Sequence, residues 1–284
     1  MIPTTFEYAR AASLDDALAR LKAANGGGKL IAGGHSLVPL MKLRLSEPQL
    51  LIDISRIPDL AGIRERDGKI TIGAATVHHD VATSSLLQAR CPVVSEAAAT
   101  IGDPQVRNRG TLGGSIAHAD PSADMPAVML ALNAEIHLNG PNGWRVAKAA
   151  DFFKDLFTVD MAADEIIVSV QFAPVRTAAY AKLYQRASHF AIVGVAAALE
   201  VSGSTIVSAR IGLTGAASHA RRLINVEQAL AGQLLSNEVI ERAAQVAWQD
   251  LQDVNSDIHA SADYRRAMIP VFTRRALTAA MARA

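Results

Sequence analysis

The 284-residue sequence predicts an α+β protein made of two units, and three observations lead there. A strand–glycine loop–helix–strand pattern fills residues 29–54. A second glycine-rich turn, Thr111–Ser115, leads towards an apolar helical run, Met125–Leu132. After about Thr177 the pattern changes to closely spaced strands and then to helices, the order expected of a separate α+β domain. Hydrophobic residues make up 50% of the chain and charged residues 19%, enough to supply each unit with a core.

In chain order, Ser13 ahead of Leu14, Ala17, Leu18 and Leu21 predicts an N-capped amphipathic helix that Asn25–Gly28 ends. Lys29–Ala32 reads as a strand and runs straight into the loop Ala32-Gly33-Gly34-His35-Ser36. A helix follows over Leu37–Leu45, with Pro39 in its first turn, where a missing N–H costs little, and Pro48 stops it. Gln49–Ile54 is the next strand, compatible with a parallel pair. The GxGxxG spacing is absent, so this is not a Rossmann unit. Gly68–Gly73 reads as a strand, Thr76 as the cap of a helix through Val81, and Pro92–Thr100 as an alanine-rich helix. Glu135–Asn139 and Trp144–Ala147 form a hairpin across Gly140–Gly143, and Pro174 closes a strand over Glu165–Phe172. The second unit has strands at Ala179–Gln185, Val193–Val201 and Ile206–Thr214. Helices then cover about Val226–Leu230, Asn237–Asp250 and Ala262–Ala282, the last broken near Pro270.

Composition narrows the function. Lys plus Arg total 28 and Asp plus Glu 27, a net charge of +1 that gives no support to a nucleic-acid partner. The one cysteine, Cys91, reads as a small buried hydrophobe; it cannot form an internal disulfide or hold an iron–sulfur cluster, which takes about four. Redox chemistry here therefore requires an organic cofactor or a partner's metal centre. The N-terminus shows no signal peptide, and the apolar run Ala191–Leu199 is far below the ~18 residues of a membrane span. A cytoplasmic location is expected, at most peripheral to the inner face of the membrane. The pair His78-His79 lacks further ligands at metal-site spacing and reads as structural.

The two glycine loops carry the chemistry. Paired glycines let backbone N–H groups close on an anion, and Thr111 and Ser115 add hydroxyl donors. Each loop alone is equally well a turn that needs glycine. Together they suit a ligand with two phosphates, which we read as a dinucleotide. His35 reads as a hydrogen-bonding residue of its loop rather than a covalent tether. His118, Asp120 and Asp124 suit either loop stabilisation, with Asp124 capping the following helix, or contact with a cofactor. Lys182 can balance charge on a reduced cofactor or lie on a solvated face, and Phe190 can stack on a flat ring or join the core. No catalytic triad or Cys–His pair has a supporting signature.

AGGHSLVPLMKLRL with LIDISRI, and QVRNRGTLGGSIAHADPSADMPA, resemble the FAD-binding medium subunits of molybdenum hydroxylases, a family that includes aerobic carbon monoxide dehydrogenases and xanthine dehydrogenases. The resemblance spans essentially the whole chain. It implies an FAD domain of the vanillyl-alcohol-oxidase (PCMH) type over residues 1–176, in subdomains of about 1–57 and 58–176. A C-terminal domain with a three-stranded antiparallel sheet and helices follows over 177–284. Non-covalent FAD is implied, its diphosphate held by Ala32, Gly33, Gly34, His35, Ser36 and Leu37 and by Thr111, Gly113, Gly114 and Ser115. Ile101, Asp124, Ile167 and Lys182 fall at flavin-contacting positions, and Phe190 where relatives place an aromatic beside the ring. A tyrosine is familiar there; phenylalanine keeps the stacking and loses a hydroxyl. The implied partners are a large subunit with a molybdopterin-type molybdenum cofactor and a small subunit with two [2Fe–2S] clusters, as a dimer of heterotrimers. The alternative is a free-standing flavin oxidase of the same fold. A scaffold subunit that has lost its flavin is a further alternative, and the intact loops oppose it.

Overall fold

The computed structural model describes residues 2–284. The first subdomain holds β1 (Glu7–Arg10), α1 (Leu14–Ala23), β2 (Gly28–Ile31), α2 (Leu37–Lys42) and β3 (Leu50–Asp53). Ser13 caps α1 by accepting from the Asp16 N–H, and Ala17 and Leu21 face the small core beneath the sheet. The strands form a parallel sheet in the order β1-β3-β2, so the expected parallel pair is present with an additional strand beside it. The sequence EYAR gave no sign of that strand: it is short and mostly exposed.

The second subdomain comprises β4 (Ile63–Arg66), β5 (Lys69–Gly73), α3 (His78–Thr83), α4 (Ser85–Arg90), α5 (Pro92–Ala99), α6 (Pro104–Arg107), α7 (Leu112–His118) and α8 (Asp124–Ala131). It continues with β6 (Glu135–Gly140), β7 (Gly143–Lys148), α9 (Ala149–Phe152), β8 (Phe153–Asp155), β9 (Thr158–Val159) and β10 (Ile166–Phe172). Its main sheet is antiparallel in the order β4-β5-β10-β6-β7, and the expected hairpin is β6–β7. Every residue of α8 is buried, because this helix lies between the subdomain core and the C-terminal sheet. Thr76 does not cap α3. Its hydroxyl accepts from the Gly62 N–H and donates to the Gly62 carbonyl, and α3 begins at His78.

The C-terminal domain has β11 (Ala178–Tyr184), β12 (Ala191–Ser202), β13 (Thr205–Thr214), β14 (Arg221–Arg222), α10 (Ile224–Leu230), α11 (Asn237–Gln245) and α12 (Ala262–Met281). Its antiparallel sheet has four strands rather than three, the fourth being the two-residue β14. The expected helix over 237–250 ends at Gln245 and gives way to a 3₁₀ turn at Ala247–Asp250. Helix α12 runs unbroken through Pro270. Burial of Ile269, Phe272, Ala276, Leu277 and Ala280 under the sheet holds the helix together across the missing hydrogen bond.

Several hydrogen bonds join the two domains, one group of them around Pro121. The Thr214 hydroxyl and the Gly215 N–H donate to the Pro121 carbonyl, and the Ala191 N–H donates to the Ser122 carbonyl. Where α8 crosses β13, Gly212 has no side chain because a Cβ there would overlap the Ala127 carbonyl. The turn that delivers Asp124 is thus clamped by the C-terminal sheet.

Candidate functional site

The two glycine loops, far apart in sequence, meet. A Cβ on Gly33 would overlap the Arg109 carbonyl and lie 2.8 Å from the Gly110 Cα, so the first loop packs directly on the backbone entering the second. Gly34 adopts φ +74°, a conformation that favours glycine. Among the described residues, no protein acceptor takes the N–H of Ala32, Gly33, Gly34, His35, Ser36 or Leu37. Buried or half-buried N–H groups are ordinarily paired, so an unpaired run in a turn is a ready anion nest.

The second loop is built differently. Thr111 is the N-cap of α7, its hydroxyl oxygen accepting from the Gly114 N–H. The Leu112 N–H donates to Thr76 and the Gly113 N–H to Ala74, so this loop continues the edge near β5. Its N–H groups from Leu112 to Ser115 are taken; what this stretch offers a ligand is a smooth backbone and hydroxyl protons. Gly113 is bare because a Cβ would press on the Ala74 backbone, as close as 2.8 Å. Gly114 is exposed, and a Cβ there meets only the Thr111 hydroxyl oxygen, at 2.8 Å. The surface over Gly114 therefore stays open, beside the half-buried Ser115.

His78, on the helix after β5, closes the floor. Its N–H donates to the Gly110 carbonyl and its ring lies against Gly110. The side chain is buried, with Nδ1 unpartnered. Burial, with a smaller repulsion from His35, holds its pKa down at about 4. The unfolded chain, near 6.5, binds more protons between pH 6.5 and 4, so folding stability is complete above that window and falls as pH drops through it. That separation implies a loss of about 3 kcal/mol. His78→Phe is expected to flatten this acid limb, read as a smaller difference between urea-unfolding free energies at pH 7 and pH 4.5. An unchanged difference would show that His78 is not its source.

A second group of residues lies where the domains meet. Asp124 is the first residue of α8 but does not cap it; Ala123 is the N-cap position and the carboxylate points elsewhere. Its Oδ2 accepts from Lys182 Nζ at 2.9 Å and its Oδ1 from the Tyr180 hydroxyl at 2.5 Å. Lys182 Nζ also donates to the Thr100 carbonyl at 3.1 Å. The side chains of Asp124 and Lys182 are only 5% and 4% exposed, so Lys182 is not on a solvated face. Burial raises the Asp124 pKa against the opposing pull of Lys182 and Tyr180. We read the pair as ionised, because each charge has a hydrogen-bonded counter-charge.

Ile101 follows Thr100 and is half-buried against the core, its carbonyl held by the Arg107 guanidinium. The segment 100–111 therefore runs from the Lys182 contact to the Gly33 contact and joins the two groups of residues. Ile167 is turned into the core of the second subdomain, so only its backbone is available to a ligand. Phe190 packs on the C-terminal core with its ring edge-on to His259, centroids 5.2 Å apart. Its loop is held to the other domain by a hydrogen bond between His189 Nδ1 and the Gly102 carbonyl. Asp120 stabilises its own loop by accepting from the Ser122 N–H, and His118 lies against Phe157. Tyr180 escaped the sequence reading. A tyrosine two residues before a lysine on a strand, both on one face, was the available signal.

Residues 4–174 match the model of the FAD binding domain in molybdopterin dehydrogenase, and residues 178–280 that of the CO dehydrogenase flavoprotein C-terminal domain. The chain is 42% identical to the carbon monoxide dehydrogenase medium chain of Hydrogenophaga pseudoflava over 100% of this chain and 99% of that one. It is 40% identical to 6-hydroxypseudooxynicotine dehydrogenase complex subunit alpha of Paenarthrobacter nicotinovorans, covering 100% and 97%. Among solved structures, carbon monoxide dehydrogenase from Hydrogenophaga pseudoflava lacking the Mo-pyranopterin moiety of its cofactor superposes with a TM-score of 0.95 at 42% identity. That match covers 100% of this chain and 99% of the other. With family models matched across both domains and relatives alike end to end, the chain belongs to the FAD-binding flavoprotein subunits of the molybdopterin dehydrogenases.

Proposed function

We propose that this chain is the FAD-binding medium subunit of a molybdenum hydroxylase, taking electrons from a small subunit's [2Fe–2S] clusters and delivering them to an external acceptor. The observation that carries the reading is the run of open N–H groups over Ala32–Leu37, packed through Gly33 on the Arg109–Gly110 backbone that enters the second glycine loop. That pair of surfaces fits a diphosphate: donors on one side, hydroxyls and no side-chain bulk on the other. Bound FAD supplies a carrier able to exchange electrons singly or in pairs, while the protein supplies binding, orientation and electrostatics.

The residues divide that work. Ala32–Leu37 hold the diphosphate through backbone donors, and Thr111 and Ser115 add hydroxyl protons. Ile101, Asp124 and Lys182 line the way from the diphosphate towards the ring end, where Lys182 offers positive charge to a reduced, electron-rich cofactor. Phe190 flanks the ring with an apolar face, and Ile167 contributes backbone alone. No residue here is assigned as a catalytic acid, base or nucleophile.

With one cysteine in the chain, the clusters belong to a partner. The assembly we propose is a dimer of heterotrimers with a large molybdopterin-binding subunit, which sets the substrate. Among the described residues no helix is long and apolar enough to cross a membrane. The proposed location is the cytoplasm, at most peripheral to the membrane's inner face.

The test is purification of the chain with whatever co-purifies, followed by acid precipitation. The expected result is one FAD per chain released to the supernatant, with a molybdenum-containing large chain and an iron–sulfur small chain in the same fraction. Colourless protein without partners would overturn the reading, and flavin retained in the pellet would point to a covalent tether at His35.

A further inference from the structure

The domain junction holds a polar network of three side chains drawn from both domains. Tyr180 and Lys182 project from β11 of the C-terminal domain onto the same carboxylate, Asp124, at the start of α8 in the other domain. An ammonium has three N–H bonds. Two of those on Lys182 go to Asp124 Oδ2 and the Thr100 carbonyl, leaving one without a protein acceptor. A carboxylate has two oxygens, and here each is taken: one by the ammonium, the other by the phenol.

We propose that Tyr180 is a positioning residue for the cofactor. By occupying Asp124 Oδ1 it fixes the carboxylate's rotation, and the carboxylate in turn fixes the Lys182 ammonium with its remaining N–H directed at the bound FAD. The inference rests on the FAD reading of the site. Three features support it. First, the phenol is held protonated: burial, then the negative charge of Asp124, raises its pKa well above 10, so it acts only as a donor. Second, the opposing strand makes room for it. A Cβ on Gly194 of β12 would overlap the Tyr180 hydroxyl, so this strand is bare at the one point where the phenol needs space. Third, the network crosses between domains, so the angle at which β11 meets α8 is transmitted to the cofactor through these three side chains. A tyrosine present only for packing would need neither a bare residue opposite nor a partner on the other domain.

The test compares Tyr180→Phe, which removes one oxygen, in two backgrounds. FAD affinity is measured on the full chain in its assembled complex, in the wild-type and Asp124→Asn proteins, with apoprotein melting as the folding control. Wild-type background: FAD binding weakens about tenfold, the size expected for a lost hydrogen bond to a charged group. Asp124→Asn background: the same change has less than about a twofold effect, because Tyr180 acts through the carboxylate. The ratio of variant to wild-type Kd also grows as pH falls, since a carboxylate short of one donor takes up a proton sooner. Tyr180 and Lys182 are the ionisable groups acting on Asp124. Gly194→Ala, which keeps the tyrosine and displaces its hydroxyl, is expected to reproduce the loss should Tyr180→Phe itself fold poorly. An equal effect in both backgrounds, or no effect while the wild type binds FAD, overturns the inference. A wild-type protein that binds no FAD overturns the proposed function instead.

Discussion

Gly114→Trp is expected to abolish FAD retention while the protein stays folded. Gly114 is the glycine of the two loops whose added Cβ meets no backbone or core atom, only the Thr111 hydroxyl oxygen at 2.8 Å. That oxygen accepts the Gly114 N–H as the cap of α7. Disturbing it costs about 1 kcal/mol, a melting shift of roughly 2–4 °C in a protein of this size. An indole at this point fills the open space over the second loop, which the proposed function gives to the diphosphate. Overlap with a bound diphosphate then costs at least about 3 kcal/mol, roughly a hundredfold or more in Kd. Flavin per chain, read from the visible spectrum after gel filtration, should fall to background. Stoichiometric flavin in the variant would show that the diphosphate lies elsewhere. Gly33 and Gly113 cannot serve for this test. Their missing side chains face the Arg109 carbonyl and the Ala74 backbone, so any substitution forces the loops apart and confuses binding with folding.

The contrast among these glycines marks where the sequence was legible. A glycine pair between a strand and a helix, and a second glycine pair between two hydroxyl residues, are visible in the local sequence, and the two loops were read from them. Their division of labour was not legible. The second loop spends its N–H groups on Ala74 and Thr76, because Thr111 pairs with Val77 as an isolated bridge, and only the tertiary fold creates that pairing. Strands β1 and β4 were missed for a similar reason. EYAR and IRER carry no apolar alternation, and it is their neighbours in the sheet that make them strands. Asp124 looked like a helix cap because it precedes an apolar run. Its true partners are 56 and 58 residues away, beyond the reach of any local pattern.

Those distant partners lead to the largest expected effect on stability. Asp124→Leu should destabilise the protein by about 3–5 kcal/mol, because it strands the Lys182 ammonium where only 4% of its side chain reaches solvent. Lys182→Met should cost a comparable amount by leaving the carboxylate with the phenol as its remaining side-chain donor. The double variant Asp124→Leu/Lys182→Met removes both charges and should recover most of that loss, since apolar side chains of similar volume replace a pair whose attraction is largely offset by desolvation. Urea unfolding of the three variants at pH 7 reads the cycle directly, and additive losses in the double variant would show that the two charges do not depend on each other. FAD binding should respond differently. The double variant folds yet still fails to retain cofactor, because the cation and its orienting carboxylate are both gone. Stability alone would then be served as well by two hydrocarbon side chains. On the proposed function, the ion pair stands at the domain junction to give the cofactor a fixed positive charge, the buried ammonium being held by a partner as deeply buried as itself.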